Sequence, residues 1–162
     1  MVVQPGARVV TADNVGVHGA LTNGGVTQQT RMIYNPWAFK FDLTGVVVTA
    51  TATSGPTAMQ VERYEENHPD ATGNVRTGRY WAISATGGGY TVALTLPHTG
   101  LADPFVCGYS GADWECARTT FDAAHVTLAG VTNFAAFSAW AVGNAADAPK
   151  GSYLPTIMKS AD

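Results

Sequence analysis

The 162-residue chain is long enough for one domain with a full core, and 46% hydrophobic residues exclude a disordered tail. Charged residues make up only 13%, about half the usual share of roughly 25%, and Thr, Gly, Ala and Val take their place, which favours pleated strands over solvated helices. A net charge of -3 with nine scattered Lys and Arg excludes a basic footprint for nucleic acid, and no apolar run reaches the ~20 residues of a membrane-spanning helix. Residues 1–6 lack the basic, apolar and small-residue segments of a secretion signal. A secreted form is therefore expected to start at a processed or trimmed end.

Turn signals recur along the chain and the apolar pattern has period two. Residues 7–11 form a first short strand candidate. Asn23-Gly24-Gly25 is a turn, and residues 26–34 are a strand ended by Asn35-Pro36. Residues 38–53 alternate as one long strand, with a bulge or bend expected at Gly45. After the turn at Ser54-Gly55-Pro56, residues 58–65 are a strand and residues 66–78 the longest irregular loop. Residues 79–85 and 90–96 flank Thr86-Gly87-Gly88-Gly89, a hairpin signal with no phosphate-binding Lys or helix behind it. Residues 105–110 and 113–118 form a hairpin, and residues 126–128 and 134–142 are the last strands. Asp122-Ala123-Ala124-His125 is at most one turn. The expected fold is all-β: a two-sheet antiparallel β-sandwich, immunoglobulin-like or jelly-roll-like, of about nine strands. Residues 1–25 are expected to be an N-terminal arm and first strand, 26–143 the sandwich, and 144–162 an extended C-terminal tail.

The most informative local feature is the cysteine hairpin. With Gly111-Ala112 as a two-residue loop, Ser110 faces Asp113, Tyr109 faces Trp114 and Cys107 faces Cys116. Alternation from the turn makes Cys107–Cys116 a non-hydrogen-bonded pair, with Cα atoms ~4.5 Å apart, within disulfide reach. A disulfide points to an oxidising compartment, hence an extracellular or cell-surface location.

Candidate chemistry is sparse. His18, His68, His98 and His125 lack metal-ligand spacing, and Ser84, Ser110 and Ser138 lack a nucleophile elbow. Glu62, Glu65 and Glu66 beside Arg63 read as a solvated surface. Asp70 and Asn67, with loop carbonyls, are the candidates for a calcium site. Trp37, Tyr34 and Tyr64 are candidate exposed aromatics for stacking on glycans, whereas Trp81, Trp114 and Trp140 read as core by their alternation. No enzyme, and no cofactor other than calcium, is expected.

Arg79-Tyr80-Trp81-Ala82-Ile83, Tyr90-Thr91-Val92-Ala93-Leu94-Thr95-Leu96-Pro97-His98, Cys107-Gly108-Tyr109-Ser110-Gly111 and Trp114-Glu115-Cys116-Ala117 carry a resemblance. So do His68-Pro69-Asp70-Ala71-Thr72 and Phe137-Ser138-Ala139-Trp140-Ala141-Val142-Gly143. Together they resemble a β-sandwich domain near the C-termini of large secreted bacterial proteins, often after a parallel β-helix. The tail Tyr153-Leu154-Pro155-Thr156-Ile157-Met158-Lys159 resembles the C-terminal peptide of secreted proteins from filamentous green bacteria. Residues 57–159 carry the likeness, and Ala135-Ala136 departs from it as a small insertion or a shifted register. The resemblance implies secretion and a sandwich but no catalytic residue. The relatives are tails of large proteins, so this sequence is expected to be either an excised tail domain or an independent building block, with arms at residues 2–23 and 145–158. That suits an extracellular structural subunit or surface-assembly module, forming fibres by self-association or docking on other cell-surface proteins through strand addition. The alternative is a carbohydrate- or surface-binding module of a larger secreted protein.

Overall fold

A computed structural model describes residues 2–11, 22–23, 25–55, 57–87 and 89–144. The N-terminal half carries β1 (Val2–Val3), β2 (Arg8–Thr11), β3 (Thr22–Asn23), β4 (Val26–Ile33), β5 (Ala38–Phe41), β6 (Val46–Thr53) and β7 (Thr57–Tyr64). The C-terminal half carries β8 (Tyr80–Gly87), β9 (Tyr90–Pro97), β10 (Pro104–Tyr109) and β11 (Trp114–Ala117). It ends with β12 (Thr120–Phe121), β13 (His125–Val131) and β14 (Ala139–Asn144). A seven-stranded sheet runs β11-β10-β14-β8-β7-β4-β2, and a five-stranded sheet runs β12-β13-β9-β6-β5. The two form the expected sandwich, with β1 and β3 as a separate small pair.

One core fills the space between the sheets. Ile33, Met59, Val61, Trp81, Ile83, Val106 and Trp140 come from the seven-stranded sheet; Phe41, Val46, Val48, Val92, Leu94, Leu96 and Val126 come from the other. The sequence cause is plain in β6 and β9, where alternate residues are buried: Val46, Val48 and Ala50, then Val92, Leu94 and Leu96. Period two puts alternate side chains on one face, and that face meets its counterpart.

The structure corrects several expectations. Residues 38–53 are two strands, not one bent strand. Phe41 pairs with Val46, so the chain reverses fully between them. The N–H groups of Thr44 and Gly45 both donate to Phe41 O, at 2.9 and 2.8 Å, and Gly45 takes φ +74°. That left-handed backbone suits glycine, and a period-two pattern does not reveal such a turn. Its residues point inward: Leu43 and Thr44 are fully buried. Thr27 Oγ1 donates to Leu43 O at 3.0 Å, and Leu43 N donates to Gln29 Oε1 at 3.2 Å.

Residues 134–142 are likewise not one strand. Phe134–Ala136 form a 3-10 turn, Asn133 Oδ1 accepting from Ala135 N at 3.0 Å, and β14 begins only at Ala139. The expected count of about nine strands becomes fourteen among the described residues, because long runs split and two-residue strands such as β12 carry too little pattern to be read. Two pairings are parallel, β2 with β4 and β1 with β3. Among the described residues no helix is long and apolar enough to cross a membrane.

Candidate functional site

The cysteine hairpin has the expected register: Tyr109 pairs with Trp114 and Cys107 with Cys116. The Cys107–Cys116 disulfide is formed, with the Cα atoms 4.0 Å apart. Ser110 N donates to Asp113 O at 3.0 Å, closing the turn. Val106 joins the main core, whereas Cys107 joins Ala71 and Val75 in a small second cluster on the opposite face of the sheet. The stretch from His68 to Val75 is thus packed on the hairpin.

Aromatic rings fasten it there. The His68 ring lies 5.0 Å from those of Tyr80 and Tyr109 and 5.5 Å from that of Trp114. Trp114 is therefore half-buried against a loop rather than part of the core, and its indole N–H donates to Asp70 O at 3.1 Å. Desolvation first, then the carboxylate of Asp70 as neighbouring charge and hydrogen-bond acceptor, pushes the Tyr109 hydroxyl pKa up.

Of the two calcium candidates, Asn67 spends its side-chain oxygen within the fold. Asn67 Oδ1 accepts from Gly78 N at 2.8 Å and so closes the long loop. Asp70 takes its backbone N–H to His68 Nδ1 at 3.2 Å. Among the described residues no three His, Cys, Asp or Glu side chains converge on one point.

The three aromatic candidates separate. Tyr34 and Trp37 flank Asn35-Pro36, with Trp37 N donating to Tyr34 O at 3.3 Å. Both are exposed, at 54% and 61%, and Tyr34 packs edge-on against Phe39, ring centroids 5.0 Å apart. Tyr64 lies apart from them on β7, half-buried, its ring stacked on Tyr80 at 4.4 Å and its hydroxyl donating to Glu62 Oε2 at 2.6 Å.

Glu62 is in turn the anchor of the first sheet strand. The Arg8 guanidinium donates to Glu62 Oε1 and Gln28 Oε1, and Gln60 Nε2 donates to Glu62 Oε1 at 3.1 Å. Arg8 brings with it β2, which lies parallel to β4 in the register Arg8↔Val26 to Thr11↔Gln29. Val26 N donates to Ala7 O at 2.9 Å and Ala7 N to Gln4 O at 3.0 Å. The expected N-terminal arm is thus docked on its own sheet over residues 8–11. His18, most of residues 12–24 and the C-terminal arm from residue 145 lie outside the described residues. The parallel docking of β2 was not visible in the sequence, since nothing in four alternating residues names their partner.

No family model matches the chain, and neither a curated protein nor a solved structure matches it.

Proposed function

We propose that this chain is an extracellular structural module that assembles with copies of itself, or docks on other surface proteins, by strand addition. The observation that carries this reading is β2, the outermost strand of the seven-stranded sheet, paired only with β4 among the described residues. None of its four side chains is fully buried, and Val10 is 57% exposed. Its attachment rests on a short ladder and the Arg8 contacts, and the same contacts form equally well with β2 supplied by a neighbour. The disulfide supports an oxidising, extracellular setting.

Val10 and Gln28 are register partners, which gives a direct test. A Val10→Cys chain is mixed with a Gln28→Cys chain under mild oxidation. Strand exchange yields covalent heterodimers whose fraction rises with concentration, and fibres or ordered oligomers in negative-stain images. Cross-linking confined within a doubly substituted chain, with none between chains, removes this reading.

A second reading, a glycan-binding module, is supported by the exposure of Tyr34 and Trp37 at the two ends of one turn. Such rings stack on the apolar faces of sugars. A Trp37→Ala chain that retains full glycan binding counts against it.

A further inference from the structure

The seven-stranded sheet has a gap inside it. β7 pairs with β8 along its whole length, from Thr57↔Gly87 to Tyr64↔Tyr80, but β14 meets β8 at one position only, Trp140↔Trp81. The cause lies just before β14. Phe137 N donates to Phe134 O at 3.2 Å, closing the 3-10 turn, and Ser138 N donates to Tyr109 O at 2.8 Å, toward β10 rather than β8. The Phe137 ring is fixed there, 2.6 Å from where a Cβ on Gly108 would sit. In an antiparallel ladder every second residue turns its N–H and C=O away from its partner strand. Those of Ile83 to Thr86 that turn away from β7 have no backbone or side-chain partner among the described residues.

A groove of about 360 Å³ runs along this open edge, lined by Ala82, Ile83, Ser84 and Ala85 from β8 and by Phe134 and Phe137 from the turn, among others. The four β8 residues are consecutive, and their side chains alternate between the two faces of the sheet, so the groove follows the edge of the strand and not one face. Ser84, Ala135 and Ser138 at its rim are exposed, so it opens to solvent. An apolar groove along an unpaired strand edge takes an extended segment: the edge supplies main-chain hydrogen bonds, and the groove takes alternate side chains.

Residues 145–162 follow β14 and lie outside the described residues. Within them Tyr153-Leu154-Pro155-Thr156-Ile157-Met158 is uncharged and mostly apolar, and residues 145–152 before it are small or polar. Counting from Trp140↔Trp81, Ile83 lies level with position 138, so the groove begins ~20 Å from Asn144 at ~3.3 Å per residue. Residues 145–152 span at most ~26–29 Å when extended, enough to carry Tyr153 back to it. So short a tether gives the chain's own segment a high effective concentration at the groove. We infer that residues 153–158 dock in this groove of the same chain as an added strand on β8. Pro155 lacks an N–H and so turns its backbone away from β8, which leaves Leu154 and Thr156 facing the open groups. The inference does not rest on the exchange of β2 or on the Tyr34–Trp37 surface.

The test is amide hydrogen exchange of the full chain followed by NMR. With the groove filled, Ile83, Ser84, Ala85 and Thr86 should all be protected. Protection at every second residue only, the pattern of an edge facing water, overturns the inference. The side chains of Leu154 and Ile157 fall on opposite faces of a strand, so Leu154→Asp with Ile157→Asp places a charge on each face. That variant should restore the alternation in β8 and leave β6 and β9 protected. Protection of all four β8 amides in the variant overturns the inference as well. A nitroxide on Lys159→Cys identifies whose segment is bound. It should broaden the β8 amides of the isotope-labelled chain that carries it, and the broadening should survive an excess of unlabelled, nitroxide-free chain. Broadening lost on that dilution means a neighbour's segment and overturns the assignment to the same chain.

Discussion

Trp140 lies directly opposite Trp81 across the β14–β8 pair, and the two indoles, each 1% exposed, differ in one hydrogen bond. Trp81 Nε1 donates to Thr44 O at 3.0 Å, tying the seven-stranded sheet to the inward turn of the β5–β6 hairpin. Trp140 Nε1 is buried with no acceptor among the described residues, and the Trp140 ring packs edge-on against Phe134 and Phe137, ring centroids 5.6 and 4.9 Å apart.

This difference makes the two tryptophans unequal. Phe at either site removes a similar apolar area, but only Trp81→Phe also loses a satisfied bond in the core. Breaking such a bond costs about 1–3 kcal/mol beyond the lost packing. Trp140→Phe instead removes an unsatisfied donor, which offsets part of its packing loss. Urea unfolding should therefore place the Trp81→Phe midpoint clearly below that of Trp140→Phe, with equal slopes. Equal midpoints would show that the Trp81–Thr44 bond contributes little.

A methyl group at Gly25 should release the N-terminal segment. A Cβ there would sit 2.3 Å from Ala7 O and 2.5 Å from Gln4 O, both backbone atoms that cannot swing aside. Gly25→Ala should therefore push residues 4–11 from the edge of β4 while the core between the sheets stays packed. Hydrogen exchange should report lost protection in residues 8–11 and retained protection in β6 and β9. Uniform loss across all three would mean that the segment is integral to the fold, which also argues against its exchange between chains.

The disulfide offers a third test. Replacing both Cys107 and Cys116 by Ala frees a closure of nine residues in sequence separation, and the chain-entropy model assigns that about 2–3 kcal/mol. The loss should appear as a lower unfolding midpoint. The Tyr109–Trp114 contact, at 5.2 Å between centroids, should persist, because ladder and turn hold that end of the hairpin independently. Loss of the Trp114 near-UV signal in the folded variant would show instead that the bridge positions the aromatic rings.

That hairpin was readable from sequence because everything about it is local: a two-residue loop fixes the register, and the register fixes which residues meet. The core faces of β6 and β9 were readable for a similar reason, since period two names the buried side. Legibility ended where a single backbone angle or a distant partner decides. Gly45 turns a bend into a hairpin, and Asn133 caps a short turn where alternation suggested a strand. Trp114 alternates like a core residue, yet its face of β11 is covered by the loop at Asp70, more than forty positions earlier. Of the binding candidates, Tyr34 and Trp37 stand together because they are three residues apart.

The hydroxyl of Tyr64 should titrate late and report on the N-terminal strand. Its pKa is raised from the ordinary 10.0 to about 12, by desolvation first and then by the hydrogen bond to Glu62 and that carboxylate's charge, with the Arg8 cation acting in the opposite sense. A tyrosine whose folded pKa is raised stabilises the fold fully below the unfolded value. As pH climbs from about 10 to 12 the unfolded chain ionises first, so stability falls across that window. Near-UV phenolate absorbance of the chain, minus that of Tyr64→Phe, isolates the group. Glu62→Gln should bring its titration down toward the ordinary value. Arg8→Ala should move it further up, because a carboxylate relieved of its cation resists a second negative charge beside it. An unchanged titration in Arg8→Ala would mean that Arg8 does not reach Glu62 in solution and that β2 is held by its ladder alone.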